Sequence, residues 1–397
     1  MDKYFRAKGN LHGVLALIPL YGIICLMVSC IPHGDDTVTF PTSADSIIFI
    51  QGGDYENDYI DLFDLISDIE IIQLETTDSS IFAVPSILLQ VDSNIVIADE
   101  VSDKVLLFNN NGRFQKLIAR IGKGPGEYQH ISDVHYNEWS QKIEIWDNKW
   151  NFLKYNLMSG ETTSTSYRSN PGFFAYRFFM PIDKASYFLY NPQYKNIYKG
   201  NDFRLVYKEH EEIKWKLLPF NQADEKGITG ADFYKYEDSV RFFERYIPVV
   251  YTVDRLGITP RYYFQNRTSN RLESYDLSRY SDYIEEGFAI DGVYETQDWL
   301  FTRFAFNKNR IGFYMIDKVN YKNMNSASLG FSINGLWVHL KTVINGQVWT
   351  SVEAPIFIAY QNEIVNNKSL SDFQKAILNV KATDTDNPIL IKFGIDD

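Results

Sequence analysis

The run Gly122-Lys123-Gly124-Pro125-Gly126-Glu127-Tyr128, followed closely by His130, Asp133 and His135, gathers the side chains of this chain best suited to binding or proton transfer. Glycines around a lysine suggest a phosphate cradle. A P-loop, however, needs Ser or Thr after its Gly-Lys and a helix behind it. Here Gly124 follows Lys123, and the flanking residues read as strands. The run is therefore read as a tight turn using positive φ at glycine, with Lys123, Glu127 and Tyr128 projecting at one face. Residues two apart share one face of a strand, so Asp133 and His135 lie together, as a hydrogen-bonded pair or as part of a metal site. No HExxH or paired-cysteine spacing supports a metal, and no Gly-x-Ser-x-Gly elbow occurs. No catalytic residue, metal or cofactor is assigned. The alternative is calcium held by Asp, Asn and Glu oxygens.

An internal repeat organises the strands that carry these residues. Asn94 to Gly112 reads as an alternating strand ending in Asp99, a short turn, a second strand and a glycine turn. Lys142 to Gly160 reads the same way, with Ile95 matching Ile143, Asp99 matching Asp147, Phe108 matching Tyr155 and Gly112 matching Gly160. Recurrence of the aspartate points to a repeated turn-capping task rather than catalysis. Weaker strand pairs follow at Ala185–Tyr190 with Phe203–Tyr207, Val249–Val253 with Arg261–Phe264, Asp298–Phe306 with Arg310–Ile316, and Leu336–Thr342 with Ile356–Tyr360. Repeating units of four strands imply an all-β, six-bladed β-propeller, in which each blade covers the apolar face of the next.

Closure follows from the two ends. Residues 69–75 and 388–395 both alternate as strands, and pairing them in one blade would lock the ring. Between them, Ser369 to Val380 predicts a short helical insertion, with Leu370, Phe373, Ile377 and Val380 on one face and Ser369 with Asp372 as its start. The aromatic clusters, including Phe173, Phe174, Tyr176, Phe178, Phe179, Tyr262, Tyr263 and Phe264, are expected mainly between blades. So are Trp146, Trp150, Trp299, Trp337 and Trp349.

The chain opens with Lys3, Arg6 and Lys8, then an apolar run from Val14 to Val28, then Ser29-Cys30. This pattern is an export signal, and the run is short of the ~20 residues that span a bilayer. A cysteine directly after the small residue looks like a lipoprotein signal, with Cys30 as the lipid attachment. The expected organisation is therefore a signal over 1–29, a tether over 30–58 and the propeller over 59–397. Cleavage before Cys30 would leave a single cysteine and no intrachain disulfide. A net charge of −12 argues against nucleic acid, whose phosphates are bound through Lys and Arg. It also leaves the lipid anchor as the only expected attachment to a membrane.

The glycine run, the lipoprotein start, Tyr251-Thr252-Val253 with Pro260-Arg261-Tyr262, and the ending Asp386-Asn387-Pro388-Ile389-Leu390 together resemble the six-bladed β-propeller lipoproteins of Gram-negative gut bacteria, related to NHL-repeat and TolB-like propellers. The resemblance covers about residues 60–397, with 165–245 departing most. It implies an outer-membrane lipoprotein facing the periplasm or the cell surface, and Asp35-Asp36 resembles the acidic export tags of such proteins. It implies no established activity. The expected role is a ligand-binding or protein-interaction scaffold for a glycan, a peptide or an envelope protein. The alternative is a propeller hydrolase or lyase using a cation at the channel mouth.

Overall fold

The computed structural model describes residues 37–38, 48–52, 59–124, 126–147, 149, 151–166, 176–192, 203–210, 212–219, 230–245, 247–266, 275–276, 288–306, 310–319, 323–326 and 330–396. Cys30, the signal over 1–29, Asp35-Asp36, Pro125, Trp150, Phe173 and Phe174 lie outside them. Among the described residues no helix is long and apolar enough to cross a membrane.

Six antiparallel sheets form a six-bladed β-propeller, each blade running outward from its first strand. Blade 1 is Ile87–Val91, Asn94–Asp99, Lys104–Asn109 and Phe114–Leu117; blade 2 is Ile131–Asn137, Lys142–Asp147, Asn151–Asn156 and Thr162–Ser166. Blade 3, where the repeat was faintest, is Phe178–Pro181, Ser186–Tyr190, Phe203–Glu209 and Glu212–Pro219. Blade 4 runs Ala231–Tyr236, Ser239–Glu244, Val249–Asp254 and Gly257–Asn266, and blade 5 runs Phe288–Glu295, Trp299–Phe306, Arg310–Asp317 and Asn323–Ser326. Second strands such as Ile95–Asp99 and Ile143–Asp147 are buried on both faces. This explains their near-continuous apolar runs.

Blade 6 closes the ring. Leu336–Ile344 pairs through its first three residues with Phe331–Ile333 and through the rest with Gln347–Val352, followed by Ile389–Ile395 and then Ile66–Ile72 from the other end of the chain. The closing register places Ile71 opposite Ile391 and Ile72 opposite Leu390, and Lys392 Nζ lies 2.7 Å from Glu70 Oε2. The expected strand over 69–75 thus ends at Ile72, and the chain continues into a seam with blade 1, where Glu75 Oε2 accepts from Phe114 N. Asn387 clasps that seam. Its Oδ1 accepts from Phe82 N at 3.0 Å, and its Nδ2 donates to Glu75 O and Ser80 O at 3.0 and 3.1 Å.

Three expectations need correction. Ile356–Tyr360 is not a strand but part of helix α1, Ala354–Ile364. Pro355 fits the first turn of a helix, and Phe357, Tyr360 and Ile364 bury one helical face. The second helix, α2, covers Asp372–Asn379 and is capped by Ser371, not Ser369, with Gln374 completing a reciprocal capping box. Finally, the tether over 30–58 is not all linker. Ile48–Gly52 adds in parallel to Gly257–Asn266 of blade 4, and Thr37–Val38 pairs with Tyr275–Asp276. An isoleucine- and phenylalanine-rich segment readily supplies an extra strand to an open sheet edge.

Each of the six blade interfaces holds its own apolar cluster. Tyr187, Phe179 and Phe152 fill the interface of blades 2 and 3, for example, and Ile72, Leu88 and Trp349 the closing seam. Three interfaces also bury a glutamate. Glu144 meets Lys154 at 3.0 Å and Tyr187 Oη at 3.1 Å, joining blades 2 and 3. Glu244 meets Arg204 at 2.6 Å and Tyr190 Oη at 2.8 Å, joining blades 3 and 4. Glu295 meets Lys318 at 2.9 Å and accepts from Tyr234 and Tyr262, joining blades 4 and 5. These charged latches hold the blades, and hence the channel, in one arrangement.

Candidate functional site

In each blade the start of the first strand lies beside the end of the second, as the pairs Ile87 with Ala98 and Asp232 with Phe243 show. Side chains from these two places therefore meet at one mouth of the channel. Blade 1 contributes Glu100, blade 2 Asp133, blade 4 Asp232 and Arg245, blade 5 Asp291 and Arg303, and blade 6 His339, Lys341 and Glu353. Their convergence is electrostatic as well as topological. Glu100 in blade 1 feels Arg245 and Asp232 from blade 4, on the opposite side of the ring.

Local irregularity aims these groups. The ladder of blade 5 slips between Ile290 and Gly292, leaving Asp291 as the extra residue, and that of blade 6 slips between Leu340 and Thr342, leaving Lys341 extra. Blade 2 slips just before Asp133. A β-bulge redirects the side chain it carries and is common beside functional sites. Gly292 serves Arg303, its cross-strand partner. A Cβ at Gly292 would lie 3.0 Å from Arg303 Nη2 and 3.1 Å from its Nε, so the guanidinium packs closely over the bare Cα of the first strand.

The pairing is incomplete. Arg245 Nη2 lies 3.3 Å from Asp232 Oδ2, and Arg303 Nη2 lies 3.6 Å from Asp291 Oδ2. The Nε–H of both arginines is buried and has no acceptor among the described residues. Lys341 and the Glu100 carboxylate have no ion-pair partner among them either. Burial, then Asp133, pushes the Glu100 carboxyl up against the pull of Arg245. Burial, then Asp133 and Asp291, does the same to Asp232, again opposed by Arg245. Burial and the positive charge of Arg303 lower the Lys341 ammonium. Burial and Lys341 likewise lower His339, which is neutral at pH 7. The Asp232 side chain nevertheless keeps 40% of its surface accessible.

A carboxyl raised in the fold is penalised when ionised. Glu100→Gln is therefore expected to stabilise the protein at neutral pH, by no more than about 0.5–1 kcal/mol because the side chain is open and screened. The gain is full above the raised value, shrinks as pH falls through it, and is gone below the ordinary glutamate value of 4.5. Matched thermal melts of parent and variant at about pH 4 and about pH 8 check the sign. A gain that grows on acidification would contradict it.

Of the residues singled out in the sequence, only Asp133 reaches the mouth. The glycine run is a rim turn: Gly126 takes φ +79° and lies against Thr162 of the outer strand of blade 2, and Glu127 Oε2 accepts from Gly124 N at 2.8 Å. Lys123 is exposed, and Tyr128 is buried with its Oη donating to Asp103 O. His130 Nδ1 lies 2.8 Å from Asp103 Oδ2 on the same link. Asp133 and His135 do share a face, with Asp133 Oδ2 3.1 Å from His135 Nε2 and also accepting from Phe179 N of blade 3 at 2.9 Å. Asp99 and Asp147 cap equivalent turns, accepting from the backbone N of Val101 and Lys149, and from Ala83 N and Gln129 N just ahead of the first strands. The mouth residues were missed because Glu100, Arg245 and Glu353 follow a strand and Asp232 opens one as ordinary charged residues would, while Asp291, Arg303, His339 and Lys341 lie within strands with no local mark. The one available signal is position: Glu100 and Arg245 each come directly after a buried acid, Asp99 and Glu244.

Among the described residues no three His, Cys, Asp or Glu side chains converge as a metal site would require. A second concavity of about 250 Å³ opens on the opposite face, lined by Glu138, Trp139, Lys235 and Arg255 among others. Its two cations are already paired: Lys235 Nζ lies 2.7 Å from Glu138 and 4.4 Å from the Trp139 ring centre, and Arg255 lies 2.8 Å from Asp183.

The family model described as Domain of unknown function (DUF4934) matches residues 46–393. Among solved structures, a protein of Bacteroides fragilis NCTC 9343 described as exported is 17% identical, with 89% of this chain and 100% of that one covered and a TM-score of 0.69. A member of the DUF4221 family from Bacteroides vulgatus ATCC 8482 is 12% identical, with 86% and 100% covered and a TM-score of 0.52. At these identities the likeness is one of fold. No curated protein matches the chain.

Proposed function

The chain belongs to the DUF4934 family, and we propose that it is an extracytoplasmic binding propeller of the bacterial envelope whose channel mouth takes a polar ligand. The observation that carries this reading is the mouth itself. Five blades send charged groups to one place, and several of their donors are left without acceptors. Buried donors left unpaired are costly, so a fold keeps them where a ligand or its waters complete them. The rigid ring with its function at the strand ends and turns is how propellers work. An extracytoplasmic place is supported by the export signal and by the description of the fragilis neighbour as exported. Attachment is assigned to a lipid on Cys30, and incorporation of a labelled fatty acid that persists in Cys30→Ser would remove that part.

Calorimetric titration of the full chain in detergent against envelope glycan fragments and peptides tests the binding role. The expected result is saturable binding that Arg303→Met abolishes while the thermal midpoint stays near that of the parent. Binding untouched by Arg303→Met would move the ligand elsewhere. Turnover of any member of the panel would favour the hydrolase or lyase reading instead.

A further inference from the structure

The outer strand of blade 2, Thr162–Ser166, consists entirely of hydroxyl residues, and among the described residues no further strand covers its outer edge. An open edge offers unpaired N–H and C=O groups to another chain, and folds usually blunt it with charge, proline or a covering segment. The other blades are protected in these ways. Lys116 stands in the outer strand of blade 1, Lys214 and Pro219 in that of blade 3, and Asp68 and Glu70 in that of blade 6. Ile48–Gly52 covers the edge of blade 4, and Asn325 and Ser326 in the outer strand of blade 5 are buried. Thr162–Ser166 has no charge and no proline, and Thr163 to Ser166 are exposed.

This edge is also braced. Gly126 N donates to Ser164 Oγ at 3.4 Å, and a Cβ at Gly126 would lie 3.5 Å from Thr162 Cγ2. The glycine run thus lies against the strand and steadies it. Asn156 N donates to Glu161 O. The alternation of an antiparallel ladder then turns the backbone groups of Thr163 and Thr165 inward and those of Thr162, Ser164 and Ser166 outward.

We propose that Thr162–Ser166 pairs with the same strand of a second copy, antiparallel about a two-fold axis through Ser164. Ser164 then faces itself, Thr162 faces Ser166, and Thr163 faces Thr165. Every outward backbone group gains a partner, and hydroxyl meets hydroxyl at each position, a favourable cross-strand combination. The contact is self-complementary, as a closed two-fold dimer requires. Charge points to the same place: two copies of net charge −12 repel one another, so an uncharged edge is where they can approach. A pairing this short is a small interface, so the dimer should be reversible and depend on concentration. It is independent of any ligand at the channel mouth.

Sedimentation velocity of the full chain in density-matched detergent should show a reversible monomer–dimer equilibrium across a dilution series. Thr163→Lys with Thr165→Lys puts ammonium groups opposite one another across the axis and should raise the dimer dissociation constant at least about tenfold. Thr163→Glu with Thr165→Glu should do the same. An equimolar mixture of the two double variants should dimerise again, which also shows that both are folded. Cross-linking reads the register: under mild oxidation Ser164→Cys should link to itself, whereas Thr162→Cys and Ser166→Cys should link only when mixed. A parent that stays monomeric at its highest soluble concentration overturns the inference. So does a dimer that the lysine variant leaves intact, which would put the contact elsewhere, or a loss that the mixture does not restore. Cross-linking of Thr162→Cys alone, without that of Ser164→Cys, overturns the register and the two-fold pairing with it.

Discussion

Glu244→Ala is expected to destabilise the protein by about 3–5 kcal/mol, the usual consequence of removing one member of a buried ion pair. Glu244 is fully buried and Arg204 is 1% exposed. Arg204 Nε donates to Glu244 Oε1 at 2.6 Å and its Nη2 donates to Oε2 at 3.4 Å, while Tyr190 Oη donates to the same carboxylate at 2.8 Å. Alanine would remove the carboxylate on which the Arg204 and Tyr190 bonds converge between blades 3 and 4. For a domain of this size the loss corresponds to a fall in thermal midpoint of about 5 °C. The same physics makes a second, opposite expectation. The double variant Arg204→Met with Glu244→Leu removes both desolvated charges and should recover most of the loss. Differential scanning calorimetry of the parent, single and double variants decides it. A single variant as stable as the parent would show that the latch does not hold the blades.

The closing strand is expected to be as sensitive. Ile72 is 3% exposed, pairs with Leu390 across the seam and belongs to the cluster that joins blade 6 to blade 1. Ile72→Asp puts an unpaired carboxylate into that cluster and should cost about 4 kcal/mol or more. Ile72→Val, which keeps the seam closed, should cost only about 1 kcal/mol. The readout that distinguishes opening from general weakening is amide hydrogen exchange. Backbone amides of Ile389–Ile395 should lose protection in the aspartate variant before those of Asn94–Asp99 do. Uniform loss across all blades, or full protection of the seam, would refute closure as the controlling feature. The outcome matters because an opened ring exposes a bare strand edge, which invites aggregation.

Legibility in the sequence tracked how local each feature is. The second strands of blades 1 and 2 were readable because burial on both faces writes a continuous apolar run ended by Asp99 or Asp147. Both closing strands were readable from their own alternation. Helix α1 was misread because Ile356–Tyr360, taken alone, has the apolar density of a strand, and only its packing onto blade 6 shows the helical face of Phe357, Tyr360 and Ile364. The extra strand Ile48–Gly52 was missed because its partner lies more than two hundred residues away in blade 4.

The mouth was the least readable part, although every residue in it was in view. Glu100 and Lys341 are far apart in the chain, and nothing local marks either as different from a surface charge. Strand periodicity, turn chemistry and the repeat spacing are properties of short segments, so composition and order alone were enough to specify a ring of six sheets. Which charges face one another was decided only when the ring closed and the ladders slipped at Asp291 and Lys341, because Coulomb energy depends on distance in space and closure is what brings opposite blades within reach.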